Sequence, residues 1–268
     1  MSSPCLERAI ALLSLATASA FAAPPPLRVC SDPDNLPYSH ADGSGFENRI
    51  ARVVADELQR PLVTHWMPLR RGFVRKTIGA DECDVLIGVP AGFDRVLTTR
   101  PYYRSSYVFV TRAADAAPLR SFDDTRLPRL RVGVQLVGND MAATPPGHAL
   151  AARGATERVV GFTVFGDGPA AQRMVAALAR GEIDAALIWG PQAGWFARRS
   201  PVPLALAQAD APPDVPMPFR FSIAMGVRRG DTALRDALND AIDRRRPDID
   251  AILAEYAVPR TDKRGAWR

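Results

Sequence analysis

The segment Cys83-Asp84-Val85-Leu86-Ile87-Gly88-Val89-Pro90-Ala91-Gly92 holds an apolar run, Val85 to Val89, that does not alternate with polar residues. Such a run is the pattern of a strand buried on both faces. It predicts the middle of a parallel sheet, with helices packed above and below. Upstream, Leu27-Arg28-Val29-Cys30 is a short apolar strand, stopped by Ser31-Asp32-Pro33-Asp34-Asn35-Leu36-Pro37. Gly43-Ser44-Gly45 then opens a helix in which Phe46, Ile50, Val53, Val54 and Leu58 share one face. Leu62 to Trp66 reads as a second strand ended by Pro68, and a helix is expected over about 70–78. Strands and helices alternate, which is the signature of an α/β unit.

Downstream the same pattern begins again. Tyr107 to Val110 is a strand, and Ala113 to Pro118 reads as a linker. Strands follow over 130–135, 159–165 and 185–189, with helices opened by Pro145-Pro146 and by Gly168-Pro169. Pro201 to Pro218 reads as a proline-rich connection. Phe221 to Val227 is a last strand, and two amphipathic helices finish the chain. Two α/β lobes of similar size result, with no sequence repeat visible between them.

The start of the chain reads as a secretory signal over 1–22. Arg8 precedes the apolar run Ala9 to Ala20, and Ala20-Phe21-Ala22 has the small-x-small form of a cleavage site. That run is much shorter than the roughly 20 residues of a membrane span, so a soluble periplasmic protein is expected. The net charge is +5, yet its basic residues are scattered among acids. Its densest clusters, Arg70-Arg71 and Arg244 to Arg246, are too short for a nucleic-acid tract, although a basic surface suits an acidic partner. Cys30 and Cys83 remain after cleavage, and an oxidising compartment permits a bridge between them. The strand reading argues against it: Cys30 ends one parallel strand and Cys83 begins another, which puts them at opposite sheet edges.

Several phrases in this order resemble the type II solute-binding proteins of amino-acid importers. They include Gly45-Phe46-Glu47, Pro101-Tyr102-Tyr103, Val132-Gly133-Val134-Gln135, Gly181-Glu182-Ile183-Asp184-Ala185-Ala186 and Phe221 to Asp231. The resemblance implies the type II periplasmic-binding-protein fold, an α/β architecture of two lobes joined by a two-crossing hinge with a cleft between them. The first lobe would comprise 27–110 and 221–268, the second 113–218, with the hinge near 110–112 and 219–222. Other phrases are similar to a narrower group, the quinoprotein dehydrogenase-associated solute-binding proteins of the XoxJ/MoxJ type. These are Val29 to Tyr38, Arg70-Arg71-Gly72-Phe73, Cys83 to Gly92, Thr98 to Ser105, and Gly138-Asn139-Asp140 with Thr144-Pro145-Pro146. This likeness implies a periplasmic accessory to a pyrroloquinoline-quinone (PQQ) alcohol or methanol dehydrogenase, with its cytochrome c as a further partner. The alternative is the substrate-binding subunit of an ABC importer for a small organic or amino-acid-like solute.

Ligands of open α/β sheets bind beyond the carboxyl ends of the strands. This rule selects Asp32, Asn35, Tyr38, Trp66, Arg70, Arg71, Phe73, Pro90 and Phe93 in the first lobe, with Arg95 and Tyr102 nearby. In the second lobe it selects Gln135, Asn139, Asp140, Trp189 and Gln192. Amino-acid binders of the resembling family hold the ligand carboxylate with an arginine after the third strand and its ammonium with an aspartate in the second lobe. Here Trp189 stands at the aspartate position, and Arg95 is a loose match for the arginine. Trp189 either enriches the cleft in aromatic surface or packs within its own lobe. Arg70-Arg71 is either a carboxylate-binding pair or a solvated helix start. Asp32, Asp34 and Asn35 lack the spacing of a calcium loop and read as a turn. His40, His65 and His148 form no metal spacing, no nucleophile motif is present, and Cys-x-x-Cys-His is missing. The chain is therefore expected to carry no metal or cofactor and to catalyse no reaction.

Overall fold

A computed structural model describes residues 24–115, 117–137, 142–163, 168–262 and 265–267. The expected signal segment therefore lies outside the described residues, as do Asn139 and Asp140. The chain begins with β1 (Leu27–Ser31), the two-residue strands β2 (Asp34–Asn35) and β3 (Ser39–His40), α1 (Phe46–Glu57) and β4 (Leu62–Trp66). A short α2 (Phe73–Lys76) and a 3₁₀ turn (Ile78–Ala80) lead into β5 (Val85–Pro90), β6 (Leu97–Thr98) and the long β7 (Tyr103–Arg112). Then come β8 (Val132–Val137), β9 (Ala142–Ala143), α3 (Pro145–Ala152), β10 (Val159–Thr163), α4 (Ala170–Ala179), β11 (Ala185–Trp189) and α5 (Gly190–Ala197). β12 (Leu204–Gln208), β13 (Arg220–Val227), α6 (Thr232–Arg244) and α7 (Arg246–Glu255) complete the order.

The strands hydrogen-bond in the order β10-β8-β11-β7-β13-β5-β1-β4. β1 pairs in parallel with β4 and β5, and β8 pairs in parallel with β10 and β11. β7 and β13 link these two groups. Residues 103–106 of β7 pair antiparallel with 220–223 of β13, whereas residues 107–112 pair with β11 and β12. The partner exchange therefore falls between Ser106 and Tyr107. Each group forms its own lobe. In the first, α1 buries Phe46, Ile50 and Val54 together with Val85, Met225 and Val227, and α6 and α7 add Leu238, Ile242 and Leu253 to the same core. In the second, α4 buries Met174 and Leu178 on one face of the sheet, and Leu150 of α3 joins Phe109, Leu187 and Phe219 on the other.

A matched ionic clasp closes the far end of each lobe. Arg28 donates to Asp84 Oδ2 from its backbone N–H and Nε (3.2 Å each) and to Oδ1 from Nη2 (2.7 Å). Arg131 makes the same three bonds to Asp184, at 2.8, 3.1 and 2.7 Å. A second arginine arrives in each lobe from the antiparallel neighbour. Arg228, after β13, reaches Asp84 and the Cys83 carbonyl; Arg112, ending β7, lies 3.8 Å from Asp184 and donates to the Ile183 carbonyl. The two lobes thus share one three-residue arrangement in space, although its order along the chain differs between them.

Cys30 and Cys83 are joined by a disulfide, with Cα atoms 5.6 Å apart, which corrects the expectation from sequence. The strand begins at Val85 rather than at Cys83. Cys83 follows the 3₁₀ turn, which folds over the sheet face that Cys30 presents, and both sulfurs sit in a small apolar cluster with Ile78, Leu86 and Val89. The expected helix over 70–78 is reduced to α2 and this turn. β12, within the proline-rich connection, was not anticipated. Among the described residues no helix is long and apolar enough to cross a membrane.

Two stability tests follow from these contacts. The bridge closes a loop between residues 53 apart, so replacing both cysteines with alanine should cost about 4 kcal/mol on the loop-entropy estimate, read as a lower urea midpoint. Asp84 is 11% exposed in the clasp, so Asp84→Asn should cost about 2–3 kcal/mol. Asp243→Asn, in the exposed pair with Arg100, should cost less than about 0.5 kcal/mol. Burial pushes the Asp84 pKa up, but the Arg28 and Arg228 hydrogen bonds outweigh it and hold the pKa below the usual carboxylate range. The clasp's stabilisation is thus complete above that range and is lost as pH falls through the depressed pKa. Equal losses for the two aspartate variants would refute the clasp's importance.

Candidate functional site

A cavity of about 790 Å³ lies where the carboxyl ends of the parallel strands of both lobes converge. The turn after β1 contributes Asp32 to Asn35 and Tyr38, and the loop after β4 contributes Pro68, Leu69 and Arg70. Glu47 enters from the first turn of α1, and Gly88 and Pro90 from β5. Tyr103, Tyr107, Phe221 and Ile223 come from β7 and β13, the strands that join the lobes. The second lobe supplies Gln135, residues 168–170 at the start of α4, Trp189 and Gln192.

Trp189 ends β11 and reaches across to the first lobe. Its ring lies edge-on to Tyr107 (centroids 5.5 Å) and to Phe221 (5.6 Å). It packs on the first lobe's core rather than its own. Trp189 also lines the cavity. Tyr38 leans on Phe46 at 5.4 Å.

Glu47 occupies the floor. Gly88 admits it: a Cβ at Gly88 would lie 1.9 Å from Glu47 Oε1, so no larger residue fits there without moving the carboxylate. The start of α1 is held close by a second glycine, since a Cβ on Gly45 would lie 2.2 Å from the Tyr38 carbonyl. Asn48 Oδ1 accepts from the N–H groups of His40 and Gly45, fixing this turn. Burial pushes the Glu47 carboxyl up to about 7, with no hydrogen-bond donor among the described residues to offset it. Burial also raises the Tyr38, Tyr102 and Tyr103 hydroxyls, and the nearby Glu47 charge adds to the effect. These phenols stay neutral and can serve as donors.

The remaining expected residues divide clearly. Asp32 lines the cavity, but its carboxylate is engaged by the N–H groups of Asp34 (2.8 Å) and Leu69 (2.5 Å) and so ties two loops together. Asn35, Arg70, Pro90, Gln135 and Gln192 line the cavity directly, whereas Arg71 does not. Trp66 is exposed on β4, away from the cavity, because β4 is the sheet's edge strand. Phe73 packs with the disulfide cluster. Phe93 lines a separate hollow of about 370 Å³. Arg95 projects to solvent, 4.0 Å from Asp94, because the turn carrying it folds behind β13. Tyr102 is buried, with its hydroxyl donating to the Ile87 carbonyl. Glu47, Tyr103, Tyr107 and Phe221 escaped the strand-end rule, since they come from a helix start and from the joining strands. Among the described residues no three His, Cys, Asp or Glu side chains gather to hold a metal.

Two α/β lobes about a lined cleft, linked by the exchange along β7, define a periplasmic binding protein of type II. The chain belongs to the bacterial extracellular solute-binding proteins, family 3, whose model matches residues 27–258. It is 36% identical over 253 residues to Protein MoxJ of Methylorubrum extorquens, covering 87% of this chain and 81% of that one. Protein MoxJ of Paracoccus denitrificans is 34% identical over 252 residues, covering 87% and 88%. The crystal structure of the periplasmic binding protein XoxJ from Methylobacterium extorquens AM1 matches with a TM-score of 0.74 at 38% identity, covering 88% of this chain and 100% of that one.

Glu47 yields a prediction with a definite sign. Between its ordinary value near 4.5 and the raised value near 7, the folded chain keeps a proton that the unfolded chain has lost. Stability from this group therefore falls as pH rises across that window. Glu47→Gln should stabilise the protein by roughly 2 kcal/mol at pH 8 and by almost nothing at pH 4. Thermal melts of both proteins over that range will check it; equal shifts at both ends would place the carboxyl in water.

Proposed function

We propose that this protein is a non-catalytic periplasmic accessory of a PQQ-dependent alcohol or methanol dehydrogenase. It holds a segment of that enzyme, or of its cytochrome c, in the cleft and assists maturation to the active holoenzyme. The observation that carries this reading is Trp189: an aromatic side chain in ring contact with Phe221 of the first lobe stands where amino-acid binders place the carboxylate for the ligand ammonium. Among the described residues Arg70 is the one arginine that lines the cavity, and Arg95, the loose match for the carboxylate-holding arginine, lies outside it. Similarity to MoxJ and XoxJ supports the choice of partner. We propose further that 27–110 with 221–268 and 113–218 move as two bodies. Their bend would fall at the Ser106–Tyr107 exchange and at the return near Phe219–Arg220, a few residues before 110–112 on the outward strand.

The purified protein, added in equimolar amount to the cognate apo-dehydrogenase with quinone and metal, should raise the yield of active enzyme several-fold and co-elute with it. Trp189→Ala should abolish both effects while keeping the fold. A protein that neither binds the dehydrogenase nor alters its reconstitution sinks this reading. The family itself favours the second reading, delivery of a solute to a permease. A thermal shift with one neutral or acidic solute, equivalent to about 2.7 kcal/mol at a hundred times its Kd, would favour it.

A further inference from the structure

The cavity inverts the charge of the molecule that contains it. The chain carries +5 overall, whereas the cavity is lined by three acids, Asp32, Asp34 and Glu47, against one base, Arg70. Asp32 is spent on backbone N–H groups and Asp34 is exposed at the rim. Glu47 is the acid on the floor, and it has no donor among the described residues. Around it stand the rings of Tyr38 and Tyr103, continued by Tyr107, Trp189 and Phe221. The second lobe adds only uncharged groups to the lining among the described residues, Gln135 and Gln192 being its polar ones.

From this arrangement we infer that the cleft binds an alkylammonium group, seated against the Glu47 carboxylate within the aromatic ring formed by Tyr38, Tyr103, Tyr107, Trp189 and Phe221. The physical case rests on what each part supplies. An aromatic face attracts a cation through its quadrupole, and more strongly where water is excluded. A buried carboxylate without a partner is costly as an anion, and an incoming cation removes that cost. An acid or an anion would meet the same carboxylate with no opposing base nearer than the rim. The inference rests on the cleft-binding reading above and names the chemistry that the cleft selects. The ammonium has two possible sources, a lysine side chain on a partner segment or a free amine.

Binding carries a proton signature. The ammonium keeps its own proton, since its pKa lies near 10, while Glu47 releases one to the buffer. The other titratable groups facing Glu47 are Tyr38, Tyr102 and Tyr103, which stay protonated throughout the range tested. Glu47 is the group of this lining whose raised pKa falls within that range. Affinity should rise about tenfold between pH 6 and pH 8.

Isothermal titration of the mature protein with n-pentylamine, with N-acetyl-Ala-Lys-Ala-amide and with N-acetyl-Ala-Glu-Ala-amide tests the inference. At least one cationic probe should bind and the acidic peptide should not. Affinity should rise with pH as stated, and the measured heat should vary with buffer ionisation enthalpy. Glu47→Gln should weaken binding at least tenfold and flatten its pH dependence. Glu47→Asp should keep the pH dependence at lower affinity, which separates charge from packing. Response to the amine alone assigns a free solute, and response to the lysine peptide assigns a partner segment. No heat with either cationic probe at 10 mM, or equal binding by a folded Glu47→Gln protein, overturns the inference. Dehydrogenase co-elution, scored separately, decides the accessory reading: partner binding without amine response sinks only the present inference.

Discussion

Three residues hold the far end of each lobe: an arginine at the start of one parallel strand, an aspartate just before its neighbour, and a second arginine at the end of the adjoining antiparallel strand. Arg28, Asp84 and Arg228 do this in the first lobe, and Arg131, Asp184 and Arg112 in the second. Each aspartate accepts from a guanidinium in bidentate fashion and from a backbone N–H, so its charge is fully met. The backbone N–H of each aspartate returns a bond to the arginine's carbonyl, at 2.8 Å in both cases. Strand order and register are thereby pinned at the end remote from the cleft. The opposite ends, where chain direction and loops are free to vary, are left to build a site.

This division of labour explains the cleft's electrostatics. The clasps sit at the lobes' far ends, and the floor keeps one acid. Glu47 is there because two glycines let it be. Gly45 brings the start of α1 against the Tyr38 carbonyl, and Gly88 opens the strand next to the carboxylate. A buried carboxylate at a helix N-terminus would ordinarily be eased by the helix dipole; here burial dominates and raises its pKa.

The apolar run Val85 to Val89 and its counterparts made the sheet legible, because a strand covered on both faces cannot hide its composition. β12 was hidden by its setting: Leu204 to Ala207 is a short apolar run inside a stretch punctuated by prolines, which reads as connection. The disulfide was misread for a similar reason, since Cys83 adjoins a strand in sequence but leaves a 3₁₀ turn above the sheet in space. The clasp arrangement escaped notice because it consists of isolated charges scattered along the chain, in a different order in each lobe. In the site, strand-end residues such as Tyr38, Gln135 and Trp189 followed from topology. Glu47 and Tyr103 did not, as a helix-start acid and a core-like tyrosine carry ordinary sequence signals.

Trp189 alters what a ligand must accomplish. In a hinged binder the ligand shifts the lobes toward closure only by the contacts it makes in one state and not in the other. Here the lobes already share the ring contact from Trp189 to Phe221. On the hinge side Trp195 of α5 stacks on Tyr256 at 4.8 Å and 12°, with Arg199 over its ring. These contacts come from the protein itself, so part of the free energy of closure is independent of any solute. An aspartate at position 189 would instead be a buried charge awaiting a cation from the second lobe's side. With tryptophan there, the second lobe lines the cavity with an aromatic ring, and the carboxylate opposite it is Glu47 of the first lobe.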